Sequence, residues 1–281
     1  MTKVNFAAYY TSGGLENMDY HFIIITPETT LLDKRMVRLK ERLEKKWTTT
    51  LLPVTERQLD GFKNPVFVLP FSISPQSCVS LIANLPNDSI SFGGNLGEEQ
   101  LRLAAKKNIR HVNLLSDEDF CVENARLTAE ACLSLIISST ETSLYGMRCA
   151  VFGYGRIGSR LSSMLLSHGA SVKVFTSDKK ELSALSSRAM AYSHLWQRQD
   201  IDSFSCIVNT IPLHHVIPRD TLSCLDSRTL ILDLASGSNN VDWAGVKLLG
   251  LHGEHATALP GRFSPASAAA TIEKTILKYL E

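Results

Sequence analysis

The chain has 281 residues, 44% of them hydrophobic and 20% charged, with a formal net charge of +1. That length fits one large domain or two modest ones, and the composition excludes a disordered, collagenous or coiled-coil chain. Near-neutral charge argues against a nucleic-acid backbone as the main partner, and no apolar run reaches the roughly 18 residues that a membrane-spanning helix needs.

The opening MTKVNFAAYYTSGG carries one Lys and no apolar core, so it does not read as a secretory signal. The six cysteines form no C-x-x-C pair. They read as reduced thiols in a cytoplasmic protein, most of them serving as small buried hydrophobes.

In the first half, near-continuous apolar runs predict strands at His21–Thr26, Thr50–Val54, Pro65–Leu69, Ser89–Phe92 and Arg110–Leu114. Such runs suit parallel strands covered on both faces. Helical spacing lies between them at Leu31–Trp47, Gln76–Leu85 and Glu98–Asn108. The first of these carries a basic outer face, read as solvated. Ser116 is the expected cap of the next helix, with Asp117, Glu118 and Asp119 in its first turn. That helix runs through Asn124, Leu127, Ala131, Leu135 and Ile136 towards Ser138, and it reads as a bridge between two domains.

The second half starts afresh. Strands are predicted at Met147–Phe152, Ser171–Phe175, Cys206–Thr210, Thr229–Leu234 and Lys247–Leu251. Helices are predicted at Arg156–His168, Asp178–Ser187 and Pro265–Leu280. The alternation implies an α/β protein of two doubly wound parallel-sheet domains. The first, flavodoxin-like, spans 1–118 and is the expected substrate domain. An inter-domain helix follows over 119–143, then a Rossmann domain over 144–264. A final helix, 265–281, is expected to pack back on the first domain, with a cleft between the two.

The most specific motif is Gly153-Tyr154-Gly155-Arg156-Ile157-Gly158. It matches G-x-G-x-x-G, follows an apolar strand and opens a helix, which is the context a dinucleotide-binding turn requires. Gly153 permits the tight turn, Gly155 lets backbone N–H groups approach a pyrophosphate, and Gly158 lets helix and strand pack closely. The helix N-terminus adds partial positive charge. The end of the second strand decides the cofactor, since an acid there takes the ribose 2′-hydroxyl. Here it reads Thr176-Ser177-Asp178-Lys179-Lys180. Hydroxyls followed by ammonium groups suit a 2′-phosphate, so Thr176, Ser177 and Lys179 point to NADP in preference to NAD, and Asp178 reads as the next helix cap.

Ligands bind beyond the carboxyl ends of the strands in such sheets. That places Asn209, Thr210, Ile211, Pro212 and Asp233 beside the nicotinamide half. Gly93, Gly94, Asn95, Ser236 and Arg262 become candidates for holding substrate carboxylates. His214-His215 and His252-Gly-Glu-His255 read as loop histidines; no third ligand accompanies them and no metal site is expected. The general base is left unassigned, with His214 and Glu130 as candidates. No G-x-S-x-G, H-E-x-x-H or Walker A sequence is present, which removes support for the corresponding hydrolase, zincin and P-loop readings.

Several stretches resemble the NADP-binding Rossmann subunit of dipicolinate synthases. They are YGMRCAVFGYGRIG (145–158), GASVKVFTSD (169–178), VNTIP (208–212), LILDLAS (230–236) and LPGRFSPASAAATI (259–272), with DFCVENARLTAEACL (119–133) similar to that family's inter-domain helix. The resemblance covers residues 110–281 best. It implies a cytoplasmic, sporulation-linked oxidoreductase, oxidising dihydrodipicolinate or its hydrated precursor to dipicolinate with NADP as hydride acceptor. It also implies a flavoprotein-like second subunit and a homo-oligomer.

The related D-2-hydroxyacid dehydrogenases share the two-domain plan. Their Arg falls here near Ala235-Ser236 and their Pro-His at Pro260-Gly261, so the carboxylate clamp and general acid of ketone reduction are not at those places. Alanine dehydrogenases carry a Pro-Gly segment like Pro260-Gly261. Reduction or oxidation of another small imino or hydroxy acid is therefore one alternative. A cofactor-binding subunit with no chemistry of its own is the other.

Overall fold

The structure, a computed structural model, describes residues 19–26, 33–56, 58–71, 73–187, 191–194, 201–237 and 239–281. The expected start of the first helix, at residues 31 and 32, lies outside them. The chain divides into two compact units, one formed by Met1–Cys121 with Pro265–Glu281 and the other by Val122–Ser264.

The first unit contains β1 (His21–Thr26), α1 (Lys34–Leu43), β2 (Thr48–Pro53), β3 (Pro65–Val68), α2 (Pro75–Asn84), β4 (Ile90–Gly93), α3 (Glu98–Lys106) and β5 (Arg110–Asn113). Its five strands are parallel in the order β2-β1-β3-β4-β5, the doubly wound order of flavodoxin. β1 is apolar from Phe22 to Ile25 because both of its faces are covered. Phe22 and Ile24 pack with Met36, Leu39 and Leu43 of α1. Ile23 and Ile25 point the other way, towards Phe67, Leu81 and Ile82.

The bridging helix α4 runs over Glu118–Thr140. Its cap is Asp117, whose carboxylate accepts from the Phe120 N–H at 2.9 Å. Ser116, the expected cap, instead closes a 3₁₀ turn, where its hydroxyl accepts from Asn113 Nδ2 at 2.8 Å. α4 also continues beyond Ser138, with the hydroxyl of Thr140 bonding back to the carbonyl of Ile136.

The second unit contains β6 (Arg148–Phe152), α5 (Arg156–Ser167), β7 (Ser171–Thr176), α6 (Lys179–Ser187), β8 (Tyr192–His194), β9 (Cys206–Asn209), α7 (Arg219–Leu222), β10 (Leu230–Asp233), α8 (Trp243–Leu248), β11 (His252–His255) and α9 (Leu259–Phe263). Its six parallel strands lie in the order β11-β10-β9-β6-β7-β8. Taken from the other edge, this is the Rossmann order 3-2-1-4-5-6. Strand residues alternate between two cores. Cys149, Val151, Cys206 and Val208 face Cys132 and Ile136 of α4 with Leu161 and Leu165 of α5. Phe152, Phe175, Ile207 and Ile231 fill the opposite face, where Phe152 and Phe175 stack at 4.9 Å.

The chain ends in α10 (Pro265–Leu280), which belongs to the first unit. Ala269, Ile272 and Ile276 pack with Met36, Leu39 and Leu43, and Glu273 accepts from Arg42 Nε at 2.6 Å.

One expected strand is absent. Lys247–Leu251 is not extended; its first residues finish α8, which Asp242 caps by accepting from the Gly245 N–H at 2.8 Å. The strand that follows is β11, a polar edge strand over His252–His255. His252 and His255 therefore lie in a strand and not in a loop. β8, the opposite edge, was not expected either. Among the described residues no helix is long and apolar enough to cross a membrane.

Candidate functional site

The Rossmann sheet reverses strand order between β6 and β9, and a crevice at such a switch point is where dinucleotides bind. The turn leaving β6 is built for close approach. Gly153 has φ +93°, a conformation side chains rarely adopt. A Cβ on it would also stand 2.6 Å from Thr210 Oγ1. Thr210 is fixed from the β9 side, its N–H and hydroxyl both donating to the Phe152 carbonyl at 2.9 and 2.8 Å. Gly158 presses on the same turn, since a Cβ there would lie 2.2 Å from the Gly153 carbonyl oxygen.

The helix behind the turn has the features an anion needs. α5 opens at Gly155, with no side-chain cap and no acidic residue in its first turn. The dipole of this helix N-terminus thus favours a phosphate. A Cβ on Gly155 would meet nothing closer than Glu181 Oε1, at 3.8 Å, so the approach over the turn is open. Arg156 and Ile157 continue the turn as the first residues of α5. These residues fit a dinucleotide pyrophosphate.

Thr176 ends β7 and is buried, whereas Ser177 and Lys179 are exposed. Asp178 caps α6, accepting from the N–H groups of Lys180 at 2.8 Å and Glu181 at 3.0 Å. The sequence shows no acid at this strand end. The structure brings one there from the first turn of α6: Glu181 Oε2 accepts from the Tyr154 N–H at 2.9 Å and from the Thr176 hydroxyl at 2.5 Å. Its signal in the sequence was a carboxylate one turn into the helix after the second Rossmann strand.

Asn209 and Asp233 are neighbours across β9 and β10, both fully buried. Asn209 Nδ2 donates to Asp233 at 2.8 Å and to the Ile211 carbonyl at 3.1 Å, and its oxygen accepts from the Ile211 N–H at 3.0 Å. Asp233 also accepts from the Ala235 N–H and from Asn240 Nδ2, each at 3.2 Å. Asn240, which carries no motif of its own in the sequence, completes this network. His255 joins its edge, with Nε2 3.9 Å from Asp233 Oδ2. Pro212 follows in the exposed turn after Ile211, ahead of His214 and His215, which are also exposed.

Ser236 is exposed just after β10. Arg262 is paired with Glu254 at 2.5 Å, and Glu130 forms an ion pair with Arg126 in α4. In the first unit, Gly93 ends β4, and Gly94 and Asn95 line a cavity with Phe71, Gln100 and His111. Asn113 Nδ2 donates to Asn95 at 2.5 Å. The Gly94 carbonyl is held by His111 Nε2 at 2.9 Å, while His111 Nδ1 meets Ser91 Oγ at 3.0 Å. Among the described residues no group of three His, Cys, Asp or Glu side chains could hold a metal.

No family model matches the chain. The A-subunit of dipicolinate synthase from Bacillus subtilis (strain 168) is 26% identical over 231 residues, covering 82% of this chain and 76% of that protein. The chain is similar to that dipicolinate synthase component. The crystal structure of the corresponding protein from Bacillus halodurans superposes with a TM-score of 0.74 at 22% identity, covering 93% of this chain and 97% of the other. The apo structure of D-lactate dehydrogenase from Escherichia coli gives 0.66 at 10% identity over 92% and 96% of the two chains. At such identities the superpositions establish the fold, an α/β arrangement of two doubly wound parallel sheets.

Proposed function

We propose that this protein is an oxidoreductase that dehydrogenates dihydrodipicolinate, or its hydrated precursor, to dipicolinate, with a nicotinamide dinucleotide as acceptor. The observation that carries the reading is the Gly153–Gly158 turn, braced at the Rossmann switch point by Thr210, in a chain similar to the dipicolinate synthase A-subunit.

The turn and the α5 N-terminus would hold the pyrophosphate through backbone N–H groups. Thr210, Ile211, Pro212 and the buried Asn209–Asp233 pair would border the nicotinamide half by fixing the strand ends that face it. A bound nicotinamide would supply the hydride acceptor, the substrate would release a proton in the same oxidation, and the hydrated precursor would also lose one water before the ring is aromatic. The chain's contribution is then mainly orientation. Candidates for carboxylate binding are Asn95 with the backbone of Gly93 and Gly94 in the first unit, and Ser236 and Arg262 in the second.

Two features bear on the cofactor's 2′ position in opposite senses. Ser177 and Lys179 support a 2′-phosphate, hence NADP; Glu181 opposes it. A second reading, a cofactor-binding subunit that acts with a flavoprotein-like partner, is favoured by one observation. Of the two candidate bases, Glu130 is committed to Arg126 and His214 lies in an exposed turn, so neither is held as a ready base.

Absorbance at 340 nm with freshly made dihydrodipicolinate tests the reading, with and without that partner. Reduced cofactor is expected to appear. Its absence under both conditions, with the dinucleotide bound, would discard the enzymatic reading.

A further inference from the structure

We infer that Glu181 supplies the ribose-binding carboxylate of the dinucleotide site and makes that site select a free 2′-hydroxyl, NAD, over its 2′-phosphorylated form. The inference rests on the dinucleotide reading above and goes beyond it, by assigning the choice of cofactor to one residue.

In a Rossmann unit, a carboxylate at the end of the second strand ordinarily marks the adenosine ribose. Here that strand is β7, and it ends at Thr176 with no acid. Glu181 takes the place from a different element. It is the third residue of α6, the position from which a Glu usually bonds back to the N–H of its own helix cap. That bond is not made to Glu181, because the Asp178 N–H already donates to Thr176 Oγ1 at 3.2 Å. The carboxylate turns instead to the glycine turn. Oε2 sits between the Tyr154 N–H and the Thr176 hydroxyl, at 2.9 and 2.5 Å. Oε1 is the nearest neighbour to the open face of Gly155.

The chemistry of that arrangement is asymmetric. An ionised carboxylate only accepts hydrogen bonds. A ribose hydroxyl approaching Gly155 can donate to Oε1, a charge-assisted bond. A 2′-phosphate brings negative charge against negative charge at the same place. Thr176 cannot offset this. Its hydroxyl proton is directed at Glu181 and its oxygen accepts from Asp178, so it has no proton left for a phosphate. Lys179 and Lys180 precede Glu181 but are exposed, where their charges are screened by solvent and salt.

Isothermal titration calorimetry of the full chain with NAD and with NADP tests the assignment. Wild-type protein is expected to bind NAD at least tenfold more tightly. Glu181→Gln keeps an oxygen acceptor for Tyr154 and removes the charge; it is expected to bring the NADP to NAD affinity ratio up at least tenfold, mainly by tightening NADP. Equal or tighter NADP binding by the wild type overturns the inference while leaving the dinucleotide reading in place. So does an unchanged ratio in the Gln variant. Failure of wild-type protein to bind either dinucleotide overturns both. The wild-type titration can overturn the inference whatever the variant does to folding.

Discussion

Lys278 Nζ lies 2.8 Å from Asp117 Oδ2, joining the last helix to the start of the bridging helix across 161 residues of sequence. Asp117 is buried, caps α4 through the Phe120 N–H and also accepts from Tyr279 at 3.2 Å. One carboxylate thus fixes α4 and α10 at once.

Replacing Asp117 should expose this double role. Asp117→Ala is expected to destabilise the protein by about 1–3 kcal/mol, through the lost cap and the unpaired donors. The Lys278 ammonium, followed by the Phe120 N–H, holds the Asp117 carboxyl below its usual value of 3.8. A depressed native value means that the stabilisation is present above about pH 4 and is lost as pH falls through the native value. Thermal melts of wild type should decline across this acid range, and Asp117→Asn should decline less. Equal slopes would remove Asp117 from the account.

The glycine turn makes a paired prediction. Gly158→Ala places a methyl group 2.2 Å from a backbone carbonyl that cannot move cheaply. It should cost at least about 2 kcal/mol and abolish dinucleotide binding. At Gly155, φ is −68° and the space is open. Gly155→Ala should cost no more than about 1 kcal/mol, yet weaken dinucleotide binding at least tenfold, because the methyl occupies the approach to the backbone. Melting curves and calorimetric titration of both variants separate folding from binding.

His111 gives the first unit a second pH dependence. Burial pushes its imidazole below the ordinary 6.5, against the opposing effect of its bond to Gly94. The unfolded chain therefore binds the proton more readily, and stability is full above about pH 6.5 and falls as the medium becomes more acidic. His111→Gln should be less stable at neutral pH but flatter between pH 7 and 5. Denaturant unfolding at a series of pH values measures the slope.

The thiols should react in an order set by burial. Burial raises Cys132 and Cys206 well above the ordinary thiol range and pushes Cys149 up to about 12. Cys224 is exposed, and Cys121 is partly so. Native protein treated with Ellman's reagent should lose Cys224 first and Cys121 more slowly, with the remaining four reacting only after denaturation. Mass spectrometry of the labelled peptides checks the order.

How far the fold could be read from the residues depended on whether both faces of an element are covered. β1, β6, β9 and β10 are interior strands, and their apolar runs could hardly be anything else. The edge strands β8 and β11 carry no such run, and His252-Gly-Glu-His255 looks like a polar loop until its pairing with β10 is seen. The segment from Val246 to Leu251 misleads in the opposite sense. Its apolar residues are nearly continuous, but Leu248 and Leu249 are exposed, and the segment turns at Gly250 with φ +65°. The glycine turn was legible because its spacing reflects contacts made within six residues. Glu181 was not. Its function depends on which way a helix-start carboxylate points, and a capping-box geometry would have used the same residues. Asn209 and Asp233 could be placed at strand ends, but their mutual hydrogen bond joins β9 to β10 and needs the sheet order to be visible.

The return of α10 to the first unit has a consequence for biosynthesis. The second unit, Val122–Ser264, is complete in sequence before Pro265 is made. The first unit begins earlier but lacks its final helix until the ribosome has passed residue 280. Until then, Met36, Leu39 and Leu43 have no Ile272 or Ile276 against them. Domains tend to fold as units during synthesis, so the order of maturation here runs against the order of translation: the unit started first is the one finished last.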